Sequence, residues 1–231
     1  MSQEVLDLAA TSLTDVHKVL HALPPDTNRT AWRLTNPRGR HAVAVGLMVP
    51  VEVRIDGHVG YYAAGMNDGA TVLIDGNAGP GVAENMMAGE VRVAGDASQS
   101  AGATAHGGLL VIGGNAGARC GISMKGADIV VRGSVGHLSA FMAQAGNLVV
   151  CGDAGEALGD SLYEAQIFVA GTVAGLGADC EEKPMTADAR DTLRRLLARA
   201  GFADAPPPEA FRRYGSARKL YHFHVDNAHA Y

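Results

Sequence analysis

Val-Leu-Ile-Asp-Gly-Asn-Ala-Gly at 72–79 returns as Leu-Val-Ile-Gly-Gly-Asn-Ala-Gly at 110–117 and as Leu-Val-Val-Cys-Gly-Asp-Ala-Gly at 148–155. The glycine inside this phrase lies on a comb of seven, Gly57, Gly76, Gly95, Gly114, Gly133, Gly152 and Gly171, each 19 residues from the next. A fixed period without insertion or deletion marks a repeat architecture, in which each unit is completed only by its neighbours.

Aligning the chain on these glycines exposes further columns. Two residues before them stand Ile55, Ile74, Val93, Ile112, Val131, Val150 and Val169; four before them stand Val53, Val72, Val91, Leu110, Ile129, Leu148 and Ile167. Alternate residues of a strand share a face, so each coil is predicted to begin with a strand whose two apolar columns point into a core. Small residues recur seven positions after the glycine (Ala64, Ala83, Gly102, Gly121, Ala140, Gly159) and thirteen after it (Ala70, Gly89, Gly108, Ala127, Gly146, Ala165). Small residues at three places per coil predict three tight corners, because a missing or minimal side chain lets the backbone bend and coils approach. The expected fold is therefore all-β, a right-handed, single-stranded parallel β-helix. It has three sides, read as three short strands per coil and hence three parallel sheets, and its 19-residue coils stack to roughly 30–35 Å at the spacing of a sheet. A leucine-rich horseshoe would need its own consensus and a helical segment per repeat, and neither is visible.

The flanks read as short terminal helices. Leu13, Val16, Val19, Leu20 and Leu23 fall at helical spacing before Pro24, and Thr186 is placed to cap a helix that stops at Gly201. The chain divides into a helical cap and lead-in at 1–41, the β-helix at 42–178, and a C-terminal helix and tail at 179–231.

Composition bounds the function. The 231 residues include 30 glycines, nearly twice the usual share of about 7%, which suits a repetitive backbone. A net charge of −5 argues against nucleic acid or an anionic membrane as the main partner. No stretch approaches a membrane span and the start does not read as a secretion signal, so a cytoplasmic location is expected. Cys120, Cys151 and Cys180 form no CxxC pair and read as free thiols.

The repeated phrase resembles the GXGXG family, which comprises the C-terminal β-helix domain of the large glutamate synthase subunit, stand-alone glutamate-synthase-like subunits and the β-helix subunit of formylmethanofuran dehydrogenase. The resemblance spans about 42–178. The whole layout, ending in Phe-His-Val-Asp-Asn-Ala-His-Ala-Tyr (223–231), is similar to the β-helix subunit of three-part N-methylglutamate synthases. That resemblance implies a non-catalytic structural subunit in a hetero-oligomer. Its partners would be a glutamine-amidotransferase-like subunit and a synthase subunit holding FMN and an iron–sulfur cluster, with no cofactor or metal in this chain. Ser2 stands where a catalytic N-terminal cysteine would follow Met1, and the three cysteines are too scattered for a cluster signature. A formylmethanofuran-dehydrogenase-type subunit and an independent β-helix carbohydrate enzyme or binder are the other readings.

Each candidate site has its own chemistry to satisfy. The Gly113–Gly117 phrase looks like part of a phosphate loop, but it recurs in every coil without a following helix, so corner architecture explains it better. Asp56 and Asp75, one coil apart in one column, fit paired-carboxylate chemistry in principle, yet Ala94, Gly113 and Arg132 continue that column. His222, His224 and His229 with Asp226 could supply metal ligands, although a docking tail is expected more strongly. Phe211, Tyr214, Tyr221, Phe223 and Tyr231 add aromatic weight to that tail. Three before the glycine stand Arg54, Leu73, Arg92, Val111, Val130, Val149 and Phe168. The last four form an outward apolar stripe that something must cover: a partner subunit is the expected occupant, and this chain's own C-terminal segment the competing one.

Overall fold

The structure, a computed structural model, describes residues 3–218. One 11-stranded sheet runs its length. It opens with β1 (Glu4–Asp7) and, after helix α1 (Leu13–His21), β2 (Ala31–Thr35). The repeat then supplies β3 (Glu52–Ile55), β4 (Asp68–Ile74), β5 (Ala88–Val93), β6 (Leu109–Ile112), β7 (Lys125–Val131), β8 (Ala145–Val150) and β9 (Gln166–Val169). These neighbours are all parallel, and Val53, Val72, Val91, Leu110, Ile129, Leu148 and Ile167 stand opposite one another from strand to strand. Both predicted inward columns are buried throughout. The molecule is a parallel β-solenoid of about seven coils; burial alternates with period 2 in β3, β4 and β5, whereas β6 to β9 are buried on both faces toward their C-terminal ends.

Only this side of each coil is a regular strand, which departs from the expected three strands per coil. Beyond the glycine, Val59, Ala78, Ala97, Ala116, Val135, Ala154 and Val173 pair coil to coil through single parallel bridges. Further on, the backbone is left-handed at alternate positions. Five, seven and nine residues past the glycine, φ is positive in coil after coil, as at Tyr62, Ala64 and Met66 (61°, 53° and 52°) and at Leu138, Ala140 and Met142 (57°, 56° and 53°). Such residues cannot belong to a β-strand. Their N–H groups still find partners in adjacent coils, in alternating directions: Ala83 N–H donates back to Ala63 O (2.9 Å) and Asn85 N–H forward to Ala103 O (2.9 Å).

The reference glycines from Gly76 onward are required for space, not for backbone angle. Only Gly57 of the seven has a left-handed φ. A Cβ on Gly114 would lie 2.2 Å from Asp96 Oδ1 and 2.9 Å from Gly95 C; one on Gly133 would lie 2.3 Å from Asn115 Oδ1.

The ends are closed by the chain itself. Ser12 caps α1, its Oγ accepting from Asp15 N–H (3.1 Å), and Val16 and Leu20 enter the core beside Leu8. β1 and β2 extend the sheet in parallel, so the residues read as a lead-in at 1–41 contribute two strands to the solenoid's own sheet. At the other end β11 (Arg212–Ser216) lies antiparallel between β9 and β10 (Cys180–Lys183). That reversal ends the coil pattern, and the Cys-Glu-Glu-Lys edge presents charges that discourage further pairing.

Candidate functional site

The outward stripe is the feature from which a working surface was expected, and the structure places it under this chain's own helix. Helix α2 (Ala187–Ala200) begins at Thr186, whose Oγ1 accepts from Ala189 N–H (3.2 Å), and ends at Gly201 with φ 75°. Its Ala189, Leu193, Leu196, Leu197 and Ala200 form one buried cluster with Val111, Val130, Val149, Phe168 and Phe211. The assignment of Val111, Val130, Val149 and Phe168 to a partner interface is therefore corrected: the C-terminal segment folds back over them. The reason is economy of chain, since α2 carries an apolar face at helical spacing and is tethered beside the stripe. Phe211 and Tyr214, expected in a docking tail, are likewise buried in the chain's own clusters.

Polar contacts fix the helix at its C-terminal end. Arg92, in the same column as the stripe, donates from Nη1 to Ala200 O (2.8 Å) and from Nη2 to Arg199 O (2.6 Å), satisfying carbonyls that a helix end leaves free. Beyond Gly201, Asp204 meets Arg132 in a forked ion pair, with Arg132 Nε 3.0 Å from Asp204 Oδ1. The Arg132 hydrogen bond, more than its charge, holds the Asp204 carboxyl below its ordinary range. Between this strap and the sheet lies an open cavity of about 430 Å³ lined by Leu73, Asp75, Arg92, Val111, Arg132 and Phe202 among others. Its charged groups are already engaged: Arg132 with Asp204, Arg92 with the helix end, and Asp75 with Arg54.

Asp56 and Asp75 are bound to arginines of the preceding coils. Arg33 Nε donates to Asp56 Oδ2 (2.8 Å), and Arg54 donates to both oxygens of Asp75 (2.6 and 3.0 Å). Each carboxylate is an ion-pair member, not half of an acid–base pair. The cysteines are equally ill suited to chemistry. Burial pushes the Cys120 thiol up to about 12, and burial first, with Asp204 and Glu181 respectively adding to it, pushes Cys151 and Cys180 up to about 11. No group of three or more His, Cys, Asp or Glu able to hold a metal occurs among the described residues. His222, His224, Asp226 and His229, together with Tyr221, Phe223 and Tyr231, lie outside them.

Sequence reasoning missed a ladder immediately after the reference glycine. In that column stand His58, Asn77, Asp96, Asn115, Ser134, Asp153 and Thr172. Each of the first six accepts, through its side chain, the backbone N–H of the next: Asn77 N–H to His58 Nδ1 (2.9 Å), Asp96 N–H to Asn77 Oδ1 (3.0 Å), and so on to Thr172 N–H to Asp153 Oδ1 (2.7 Å). The signal was present, since every member but the last is used as an acceptor and all are short polar residues or histidine. It makes the Gly-Asn-Ala-Gly phrase a coil-stacking device, with the glycine giving room for the oxygen beside it.

Fold and surface together define a parallel β-solenoid whose repeated motif is spent on stacking and whose apolar flank carries its own helix. Among the described residues no helix is long and apolar enough to cross a membrane. No family model matches the chain. It is 61% identical over 227 residues to Protein GlxC of Rhizobium meliloti (strain 1021), covering 98% of this chain and 99% of that one, and it belongs to the same family.

Proposed function

We propose that this chain is a non-catalytic structural subunit of a glutamate-synthase-like multisubunit complex, specifically of the N-methylglutamate synthase type. It would hold a glutamine-amidotransferase-like subunit and an FMN- and iron–sulfur-containing synthase subunit at a set separation. The observation that carries the reading is the Gly-Asn/Asp-Ala-Gly phrase at 76, 114 and 152 on a comb of glycines spaced by 19, which resembles the GXGXG β-helices of such complexes and here serves coil stacking through the His58–Thr172 ladder. The engagement of Asp56 and Asp75 by Arg33 and Arg54 supports a structural role over an independent carbohydrate enzyme. A rigid solenoid suits that role, because fixing two sites relative to each other lets a reactive amine pass between them before it escapes.

The test is affinity purification of the full chain from its own host, with partner chains identified and bound flavin read by its absorption. Copurification of amidotransferase-like and flavin-bearing chains is expected. Copurification with a tungsten or molybdenum enzyme would replace this reading with the formylmethanofuran-dehydrogenase type, and hydrolytic activity of the isolated chain, lost in Asp56→Asn or Asp75→Asn, would overturn it.

A further inference from the structure

Helix α2 covers one flank of the solenoid, but the first coils expose an apolar strip elsewhere. Tyr61 is 53% exposed, Met66 46%, Met87 47% and Met48 76%. The backbone bonds that stack the coils bring them together. Met66 N–H donates to Glu84 O (2.8 Å), Met87 N–H to Asn67 O (2.8 Å), and Asp68 N–H to Leu47 O (2.7 Å), beside Met48. Tyr62 N–H donates to Pro80 O (2.8 Å), which carries the strip across to the Tyr61 side.

At the Tyr61 end of this strip lies a largely apolar cavity of about 450 Å³, floored by glycines and walled by His41, Tyr61, Pro80, Glu84 and Ser100. The His41 and Tyr61 rings lie against each other with centroids 4.3 Å apart. His41 Nδ1 accepts Tyr61 N–H (3.1 Å), so in the neutral ring the proton sits on Nε2, which remains a donor. Among the described residues the Glu84 carboxylate has no ion-pair or hydrogen-bond partner. A carboxylate in apolar surroundings beside an aromatic ring is matched by a cation that can bond the one and stack on the other, and guanidinium does both better than ammonium. Exposed methionines and tyrosine around it are the composition of a protein-binding surface.

We infer that the Met48–Tyr61–Met66–Met87 strip docks a segment of a partner subunit that inserts an arginine between Tyr61 and Glu84, with His41 Nε2–H donating to a main-chain carbonyl of that segment. The inference rests on the multisubunit reading above for the existence of the partner.

A photo-crosslinking residue in place of Met48, the most exposed member of the strip, tests it in the full chain purified from its host. The crosslinked partner segment is expected to contain an arginine. Glu84→Gln, which keeps shape and removes the charge, is expected to lower the crosslink yield about tenfold, as loss of one charge-assisted pair implies. An unchanged yield in Glu84→Gln, a segment without a basic residue, or a crosslink to a second copy of this chain would each overturn the docking surface. Partners that copurify without crosslinking would also overturn it while leaving the multisubunit reading intact. If nothing copurifies, the multisubunit reading fails, and methyl-labelled methionine spectra of the isolated chain decide the surface. Movement of the Met66 and Met87 signals on titration with N-acetyl-arginine amide, absent in Glu84→Gln, supports the arginine site; no movement in the wild-type chain overturns it.

Discussion

Gly114 and Gly201 are both glycines for reasons the other does not share. Gly114 has no left-handed φ and lacks room for a Cβ; Gly201 has room, with nothing within 4 Å of a Cβ, and a φ of 75°. Gly114→Val should therefore cost about 3 kcal/mol through overpacking, and Gly201→Ala about 1 kcal/mol through backbone strain. Denaturant midpoints of the two variants check the order; equal losses would mean the close approach at Gly114 is readily relieved. The converse case is Arg119, an exposed non-glycine residue at φ 60°. Arg119→Gly is expected to raise stability by about 0.5–1 kcal/mol, since removing the Cβ relieves a left-handed residue by somewhat more than the added chain entropy costs. At Asn67 the reason is a hydrogen bond. This fully buried side chain donates to Ala70 O (2.8 Å) and accepts from Ala70 N–H (3.2 Å), in a column otherwise filled by Met86, Ala105, Met124, Ala143 and Leu162. It serves the irregularity of β4 between Asp68 and Thr71, where pairing with β5 shifts register. Asn67→Leu fits the column's chemistry but orphans those backbone groups, so a loss of about 1–3 kcal/mol is expected in thermal or denaturant unfolding.

Helix α2 is the element on which the sheet's outer flank depends. Leu193 is fully buried against Val111, Val130, Val149 and Phe168, and Leu193→Ala should cost about 2–5 kcal/mol if the helix and sheet unfold as one unit. A two-step denaturation, with near-normal stability of the remaining sheet, would show that the helix undocks by itself. At the opposite end, α1 brings His17 and His21 into parallel stacking with ring centroids 5.3 Å apart. Burial first, and the neighbouring His21 second, hold the His17 imidazole below its ordinary value of 6.5. The unfolded chain then takes up this proton more readily than the folded one. The associated stability is complete above about 6.5 and is lost as the pH falls through the lower folded-state value. Unfolding midpoints measured from pH 7.5 downward should show this fall, and His17→Gln should make it shallower; an identical slope would remove His17 as its source.

Across the whole molecule, the solenoid depends on identical positions meeting in successive coils, so Cys120 is buried by repetition as much as by local packing. With Cys120 pushed up to about 12 and fully buried, the native chain should react with an aromatic disulfide reagent at pH 8 far more slowly at Cys120 than the unfolded chain does. Fast labelling of Cys120 in the native chain would contradict the packing of that coil.

The coil length, the strand in each coil, its two inward columns, both helices and the Thr186 cap and Gly201 stop of the second were legible in the sequence. Each is written in a period of 19 or in local spacing, and stacking only multiplies a local signal. The left-handed positions at Tyr62, Leu138 or Met142 were not legible, because those residue types give no sign of positive φ, and only the pairing of adjacent coils holds them there. Nor could the sequence choose what covers Val111, Val130, Val149 and Phe168. It showed an apolar stripe and, some distance on, an apolar helix face; that the two meet was decided by tertiary structure, where β11 reverses the chain against β9 and Arg92 holds the end of α2.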